Sequence, residues 1–180
     1  MRTVRPAHEP VGRRPVAGVM GAGEGARRAD IRRAERLGEL LARAGFVVLT
    51  GGRDAGVMAA AIRGAKKVPG SLTVGVLPGA GGAAAEGLDI VIYTGLGHSR
   101  NAVNVLTSDL IVAVGEGGAG TASEISIALK TARPVILLAP AKEAEAYFRT
   151  LDRRLSVAAT PEEALRIARS RLSASRRRPT

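Results

Sequence analysis

The feature that most constrains this 180-residue chain is an alternation that begins at Val16, in which short runs of β-branched residues are followed by longer stretches of helical period. Such alternation is typical of βαβ units, which build a parallel sheet covered by helices. Most of the runs are nearly continuously apolar, as expected for strands that are buried on both faces. We predict strands at residues 16–20, 46–50, 73–77, 89–93, 110–114 and 135–138.

Helical periodicity fills the intervals between these strands, apart from residues 78–87 between the third and fourth strands, which we predict to be a loop of small residues. The apolar residues of the first interval keep helical spacing, and Gly45 is placed to end that helix. The last helix begins at Thr160-Pro161-Glu162-Glu163, which has the pattern of a capping threonine, a first-turn proline and a capping glutamate. We therefore predict an α/β fold, a Rossmann-like three-layer doubly wound parallel sheet of about six to seven strands. Its helices are predicted at residues 27–44, 55–67, 99–107, 121–131 and 142–149, with a sixth from residue 160.

The net charge of +11 lies mainly at the two ends of the chain. Residues 1–15 carry +3 and residues 166–180 carry +6, whereas residues 16–165 hold 17 basic against 15 acidic side chains. We predict one domain at residues 16–170, between flexible basic tails at 1–15 and 171–180. The simpler interpretation of the tails is a solvated basic end. Weak, non-specific contact with nucleic acid stays open as an alternative.

Composition excludes several functional classes. The chain has no cysteine, which excludes disulfides, thiolate metal ligands and a thiol nucleophile. Because its two histidines are far apart in sequence, we expect neither a metal site nor a resident cofactor. His98 directly precedes a predicted helix. At that position it is either a ligand contact or a cap or surface residue, and both interpretations stay open. No apolar stretch is long enough to cross a membrane and no secretory signal is present, so we expect a cytoplasmic protein without a membrane partner.

Glycine-rich turns follow three of the predicted strands, at residues 21–25, 51–56 and 115–120. In an open α/β sheet, ligands bind beyond the carboxyl ends of the strands, where strand order reverses. Glycines let backbone N–H groups approach an anion, and the following helix N-terminus adds partial positive charge. The turns therefore predict a phosphate site. The first turn departs from the dinucleotide fingerprint because its third glycine comes one residue early, so NAD is disfavoured.

The third turn continues as Gly117-Gly118-Ala119-Gly120-Thr121-Ala122-Ser123-Glu124, which resembles the PGGxGTxxE signature of the LONELY GUY family, the "possible lysine decarboxylase" superfamily, and of the related molybdenum cofactor carrier proteins. Residues 49–58 look like the second glycine loop of that family, and residues 73–78 are similar to its third strand. Arg100, followed by Ser108-Asp109, matches its arginine helix and the entry to its fifth strand. The resemblance covers roughly residues 16–138 in the right order.

The resemblance implies a homodimer or homotetramer that binds a phosphorylated small molecule, either a nucleoside monophosphate or a pterin-type cofactor. Hydrolase members split the N-glycosidic bond of a nucleoside 5′-monophosphate into free base and ribose 5-phosphate. Carried over by position, Arg100 and Glu124 form the catalytic pair, and we expect this phosphoribohydrolase activity here. The predicted nucleotide-binding residues are Gly21, Gly23, Gly51, Gly52, Gly117, Gly118, Ala119, Gly120, Thr121, Asn101 and Asn104.

Two observations keep alternatives open. The sequence has Glu116 where the hydrolases have proline, and Ser99, Asn101 and Ser123 where they have charged residues, which places it nearer the molybdenum cofactor carrier branch. A non-catalytic carrier or sensor of a phosphorylated cofactor is therefore the alternative function. In addition, the spacing from Thr121 to Glu124 is that of a helix capping box, in which the glutamate needs no catalytic role.

Overall fold

The computed structural model describes residues 13–176, and it confirms the predicted three-layer α/β fold. Seven parallel strands form one sheet in the order β4-β3-β2-β1-β5-β6-β7. The strands are β1 (Val16–Gly21), β2 (Val47–Thr50), β3 (Leu72–Leu77), β4 (Ile90–Tyr93), β5 (Leu110–Val114), β6 (Val135–Leu138) and β7 (Ser156–Ala158). The helices are α1 (Arg28–Arg43), α2 (Gly56–Lys66), α3 (Asn101–Thr107), α4 (Ala119–Lys130), α5 (Lys142–Leu151) and α6 (Pro161–Arg176).

The predicted strands agree with the observed ones to within one residue at each end. The seventh strand, β7, has only three residues, and so short a segment gives no recognisable apolar run. It pairs in parallel with β6 at one edge of the sheet. The sheet thus reaches the upper number of strands that the sequence predicts.

Two apolar cores lie on opposite faces of the sheet. Helices α1, α2 and α6 pack on one face, and α3, α4 and α5 contribute to the core on the other. The backbones of α1 and α2 lie in direct contact, because a Cβ atom added at Gly38 would overlap the carbonyl oxygen of Ala61, and one added at Gly64 would overlap that of Glu35. A core with few aromatic residues therefore relies on close approach of main chains rather than on large side chains.

Strand β4 departs from the expectation that the apolar strands are buried on both faces. Its four residues are each between 37% and 45% exposed. Strand β4 is the outer strand of the sheet, and residues 78–89, which lead into it, contain no helix that would cover it. Its apolar side chains therefore form an exposed edge.

The two ends of the described chain are attached to the domain. Arg13 donates from Nη2 to Asp109 Oδ1 at 2.6 Å, and Arg171 donates to the carbonyl oxygen of Arg154 at 2.8 Å. The predicted start of α6 is confirmed, since the N–H of Glu163 donates to Thr160 Oγ1 at 3.2 Å. The helix continues to Arg176, so the predicted C-terminal tail overlaps it. Most of the predicted N-terminal tail, residues 1–12, lies outside the described residues. So does the end of the predicted C-terminal tail, residues 177–180. None of the helices in the described part of the chain is long and apolar enough to span a membrane.

We expect Gly38→Ala to destabilise the fold by about 1–3 kcal/mol, as is usual when a packed contact is overfilled. Alanine has the higher helix propensity, so the loss must come from the contact between α1 and α2. Urea denaturation measures the change in the free energy of unfolding. Gly120→Ala is the matched control, because a Cβ atom at that helical position meets nothing within 4 Å. Equal stabilities of the two variants would contradict the close packing of α1 on α2.

Candidate functional site

A cleft of about 640 Å³ opens at the carboxyl ends of the strands, where the strand order reverses between β1 and β5. All three predicted glycine turns contribute to its wall. The sequence-predicted residues that line it are Gly21, Gly23, Gly51, Arg100, Asn101, Gly117, Gly118, Ala119, Gly120, Thr121 and Glu124. Of the predicted site residues, only Gly52 and Asn104 are not part of the lining, and both lie directly behind it.

Backbone contacts fix the first two turns against each other. The N–H of Val57 donates to the carbonyl oxygen of Ala22 at 2.9 Å, which ties the start of α2 to the turn after β1. Gly52 has a φ of +75° and faces Leu77 of β3 rather than the cleft. Its N–H donates to Thr50 Oγ1 at 3.1 Å. Gly52 therefore shapes the second turn from behind.

The third turn leads into the N-terminus of α4. Gly118 is the N-cap residue in an extended conformation, and the N–H of Ala122 donates to its carbonyl oxygen at 2.9 Å. The N–H groups of Ala119, Gly120 and Thr121 precede that first helical bond, so they belong to the unpaired donors of a helix start. These donors and the helix dipole make the turn attractive to an anion.

The helix begins two residues earlier than predicted, and this overturns the capping-box interpretation of Glu124. With Gly118 as the N-cap, Thr121 lies within the first turn and no side chain caps the helix. The Glu124 carboxylate therefore lies in the second turn. There it points to α3 instead of reaching back to the helix start.

Glu124 and Arg100 form the centre of a buried polar network between α3 and α4. Glu124 Oε1 accepts a hydrogen bond from Asn104 Nδ2 at 2.7 Å and one from Arg100 Nη1 at 3.4 Å. Arg100 Nη1 also donates to Asn101 Oδ1 at 2.6 Å, and Asn101 Nδ2 donates to Ser123 Oγ at 2.6 Å. Arg100 is 7% and Glu124 6% exposed. The structure thus brings Arg100, Glu124, Asn101 and Asn104 together, as four of the polar residues predicted for the site.

Burial changes the proton affinity of both charged groups. It raises the pKa of the Glu124 carboxyl, against the opposing effects of the Asn104 hydrogen bond and the Arg100 charge. It lowers the pKa of the Arg100 guanidinium, and the charge of Arg53 lowers that pKa further, whereas Glu124 opposes the change. Arg100 Nε and Asn104 Oδ1 are buried without a hydrogen-bond partner among the described residues. The network therefore retains hydrogen-bonding capacity that the protein itself does not use.

The lining also contains side chains that were not among the predicted site residues. Met20 and Met58 give the cleft apolar surface, and Glu24 and Arg53 add charge at exposed positions. Arg53 directly follows the second glycine pair, and that position was a signal that could have identified it. For His98, the sequence analysis left a ligand contact and a surface position open. The structure places this residue at the cleft.

Glu116 does not add charge to the cleft wall. Its carboxylate lies 2.7 Å from Nη1 of Arg27 in an exposed ion pair, and it is not part of the lining. The positive partner offsets its charge beside the third turn. The departure from the family pattern at this position therefore leaves the turn available to an anion.

The fold and the cleft define a Rossmann-like protein with a polar, glycine-rich site at the strand switch point. Residues 14–165 match the SLOG cluster4 family, and the chain belongs to that family. It is 43% identical over 148 residues to an uncharacterized protein of Archaeoglobus fulgidus, with 82% of this chain and 90% of that one covered. This assignment confirms the predicted LONELY GUY-like superfamily.

Two solved structures refine the position within the superfamily. The molybdenum cofactor binding protein from the phototrophic bacterium Rippkaea orientalis superposes with a TM-score of 0.86 at 42% identity, covering 89% of this chain and 99% of that one. The molybdenum cofactor carrier protein from Chlamydomonas reinhardtii superposes with a TM-score of 0.84 at 42% identity and the same coverage. The chain is therefore similar to the cofactor-carrier branch that the sequence favoured.

We expect the stability difference between the native chain and Glu124→Gln to depend on pH. The native state raises the pKa of Glu124 above its ordinary value of 4.5, so the native state binds this proton more tightly than the unfolded state. The stabilisation from protonation is fully present below pH 4.5 and is lost as pH rises through the native pKa. Glutamine does not titrate, so the native chain loses stability relative to the variant over that window.

Urea denaturation over a pH series measures this difference. Glu143→Gln, at an exposed position in α5 outside the cleft, is the matched control for removal of one carboxylate. A difference between the native chain and Glu124→Gln that stays constant across the series would show that the carboxyl titrates alike in both states.

Proposed function

We propose that this protein binds and carries the molybdenum cofactor, a phosphorylated pterin, as a non-catalytic carrier. The observation that carries the proposal is the 42% identity to two molybdenum cofactor proteins, each covered over 99% of its length. A match at that identity over 89% of this chain concerns more than the general fold. The molybdenum is cargo in this proposal, and the chain's own residues hold the pterin phosphate.

The N-terminus of α4 is the proposed phosphate position. Three backbone donors, at Ala119, Gly120 and Thr121, face a cleft that a Cβ atom at Gly118 or Gly120 would enter without meeting protein atoms. A phosphate fits that arrangement because its oxygens accept several hydrogen bonds at once. The glycines thus leave room for the ligand rather than for other parts of the protein.

The remaining wall suits the heterocycle. Met20 and Met58 provide adaptable apolar surface on which a flat ring can pack. Arg100 and Asn101 line the same cleft and provide polar atoms for the heteroatoms of the ring. Assembly as a homodimer or homotetramer belongs to this proposal as the expectation from the family resemblance.

Hydrolysis of a nucleoside 5′-monophosphate, the main expectation from sequence, is less well supported than the carrier. The comparisons favour cofactor carriers. The site also argues against it, because hydrolysis needs an ionised carboxylate beside the sugar to stabilise developing positive charge. Arg100 already offsets the charge of Glu124, and burial raises the pKa of this carboxyl toward the neutral form. Glu124 is therefore better suited to hold Arg100 than to perform catalysis.

We expect the protein, expressed in cells that make the cofactor, to purify with molybdenum and a pterin, and Gly118→Ala and Gly120→Ala to retain less of both. The added methyl group displaces the phosphate from the backbone donors, and the loss of charge-assisted hydrogen bonding is worth roughly 1.5–3 kcal/mol, or about a 10- to 150-fold weaker affinity. Elemental analysis measures the metal, and fluorescence of the oxidised pterin measures the ligand.

Gly81→Ala is the matched control for these glycine variants. Gly81 is exposed outside the cleft, and a Cβ atom there meets nothing within 4 Å. Thermal unfolding without ligand shows whether each of the three variants is folded at the assay temperature, which separates binding from folding. If neither metal nor pterin is retained above the level of an unrelated protein, the carrier function is wrong.

A second assay addresses the hydrolase directly. We expect no free base and no ribose 5-phosphate when the protein is incubated with a panel of nucleoside 5′-monophosphates. Turnover that disappears in both Glu124→Gln and Arg100→Gln would instead assign the site to N-glycoside hydrolysis.

A further inference from the structure

The charged residues of the cleft do not all balance one another. Within the described part of the chain, Glu24, Arg53, Arg100 and Glu124 are the carboxylate and guanidinium groups of the lining. Arg100 and Glu124 lie 3.4 Å apart, so each partly offsets the other. Arg53 and Glu24 are both exposed, and neither forms an ion pair with a described residue. Arg53 is thus a guanidinium at the cleft whose charge has no partner among the residues that the structure describes.

Arg53 also acts on Arg100. After burial, its positive charge is the other influence that lowers the pKa of the Arg100 guanidinium. Two like charges at one cleft repel each other when no anion lies between them. Moreover, Arg100 is more than nine-tenths buried and its Nε has no partner among the described residues. An anion in the cleft would remove the repulsion and would stabilise a guanidinium whose hydrogen bonding within the described part of the chain is incomplete.

The second turn leaves space for this arrangement. A Cβ atom at Gly51 would lie 2.6 Å from Arg100 Nη2, so the guanidinium lies against the bare backbone of the turn that carries Arg53. Both cations therefore belong to the same wall. Other arginines nearby do not take this position, since Arg27 pairs with Glu116 and Arg28 is not part of the lining.

We propose that Arg53 is a ligand-binding residue, which contacts a phosphate monoester held at the N-terminus of α4 and makes the site select phosphorylated over unphosphorylated ligands. A guanidinium suits this task because its planar donors match two phosphate oxygens at once. The exposed side chain of Arg53 reaches the ligand from the open side, and Arg100 is fixed behind it. The identity of the phosphorylated ligand as a pterin rests on the proposed carrier function, whereas the role of Arg53 does not.

Thermal unfolding with inorganic phosphate as the probe tests this role, with sodium chloride at equal ionic strength as the reference. We expect phosphate to raise the Tm of the native chain, and Arg53→Gln to weaken the apparent affinity for phosphate roughly tenfold. Arg53→Lys should retain part of the response, because the charge remains and the two-pronged geometry is lost. Without phosphate, Arg53→Gln should unfold at the same temperature as the native chain or higher, since the repulsion of Arg100 is gone.

Arg32→Gln is the matched control. Arg32 is an exposed arginine of α1 outside the cleft lining, so its removal changes net charge equally and should leave the phosphate response intact. If the native chain does not respond to phosphate, or if Arg53→Gln and Arg32→Gln respond alike, the proposed role of Arg53 is wrong. A phosphate response that requires Arg53, in a protein that purifies without molybdenum, would support this inference and refute the carrier function.

Discussion

The reversal of strand order at β1 is the constraint on which the whole site depends. Strands β2 and β5 flank β1, and the chain leaves β1 and β5 toward helices on opposite faces of the sheet. The turns that follow these strands therefore separate and leave a gap, as at other switch points of open α/β sheets. The bond from Val57 N–H to the carbonyl oxygen of Ala22 adds the second turn to the same wall. The backbone thus forms the cleft before any polar side chain contributes to it.

The ion pair of Arg100 and Glu124 is better understood as a positioning device than as a source of stability. Desolvation of two charges offsets much of their attraction, so a buried pair generally contributes little net stability. Here the hydrogen bond from Asn104 orients Glu124, and the bond to Asn101 orients Arg100. The consequence is a guanidinium held at one place on the cleft wall. Such pre-organisation reduces the entropy lost on binding.

Much of the fold follows from local sequence, because buried parallel strands are apolar along their whole length. The loop before β4 could be predicted from its small residues, but the exposure of β4 could not, because it also depends on the position of this strand at the edge of the sheet. The sequence also could not show that Gly51, and not the adjacent Gly52, faces the cleft. That difference arises because the positive φ of Gly52 turns this residue toward β3. The start of α4 was misplaced because the extended backbone of Gly118 caps the helix, while the spacing of Thr121 and Glu124 imitates a cap.

The presence of a glutamate in a cleft suited to phosphate has a physical explanation in the same network. An unpaired carboxylate would repel the ligand, most strongly where water is excluded. Glu124 instead has Arg100 as its counterion, accepts from Asn104, and has a pKa that burial raises toward protonation. The Arg100 counterion and the burial both lower the negative charge that a phosphate meets, whereas the hydrogen bond from Asn104 favours the ionised carboxylate. The features that make Glu124 compatible with an anionic ligand also make it a poor stabiliser of positive charge, and this is the physical argument for the proposed carrier function over hydrolysis.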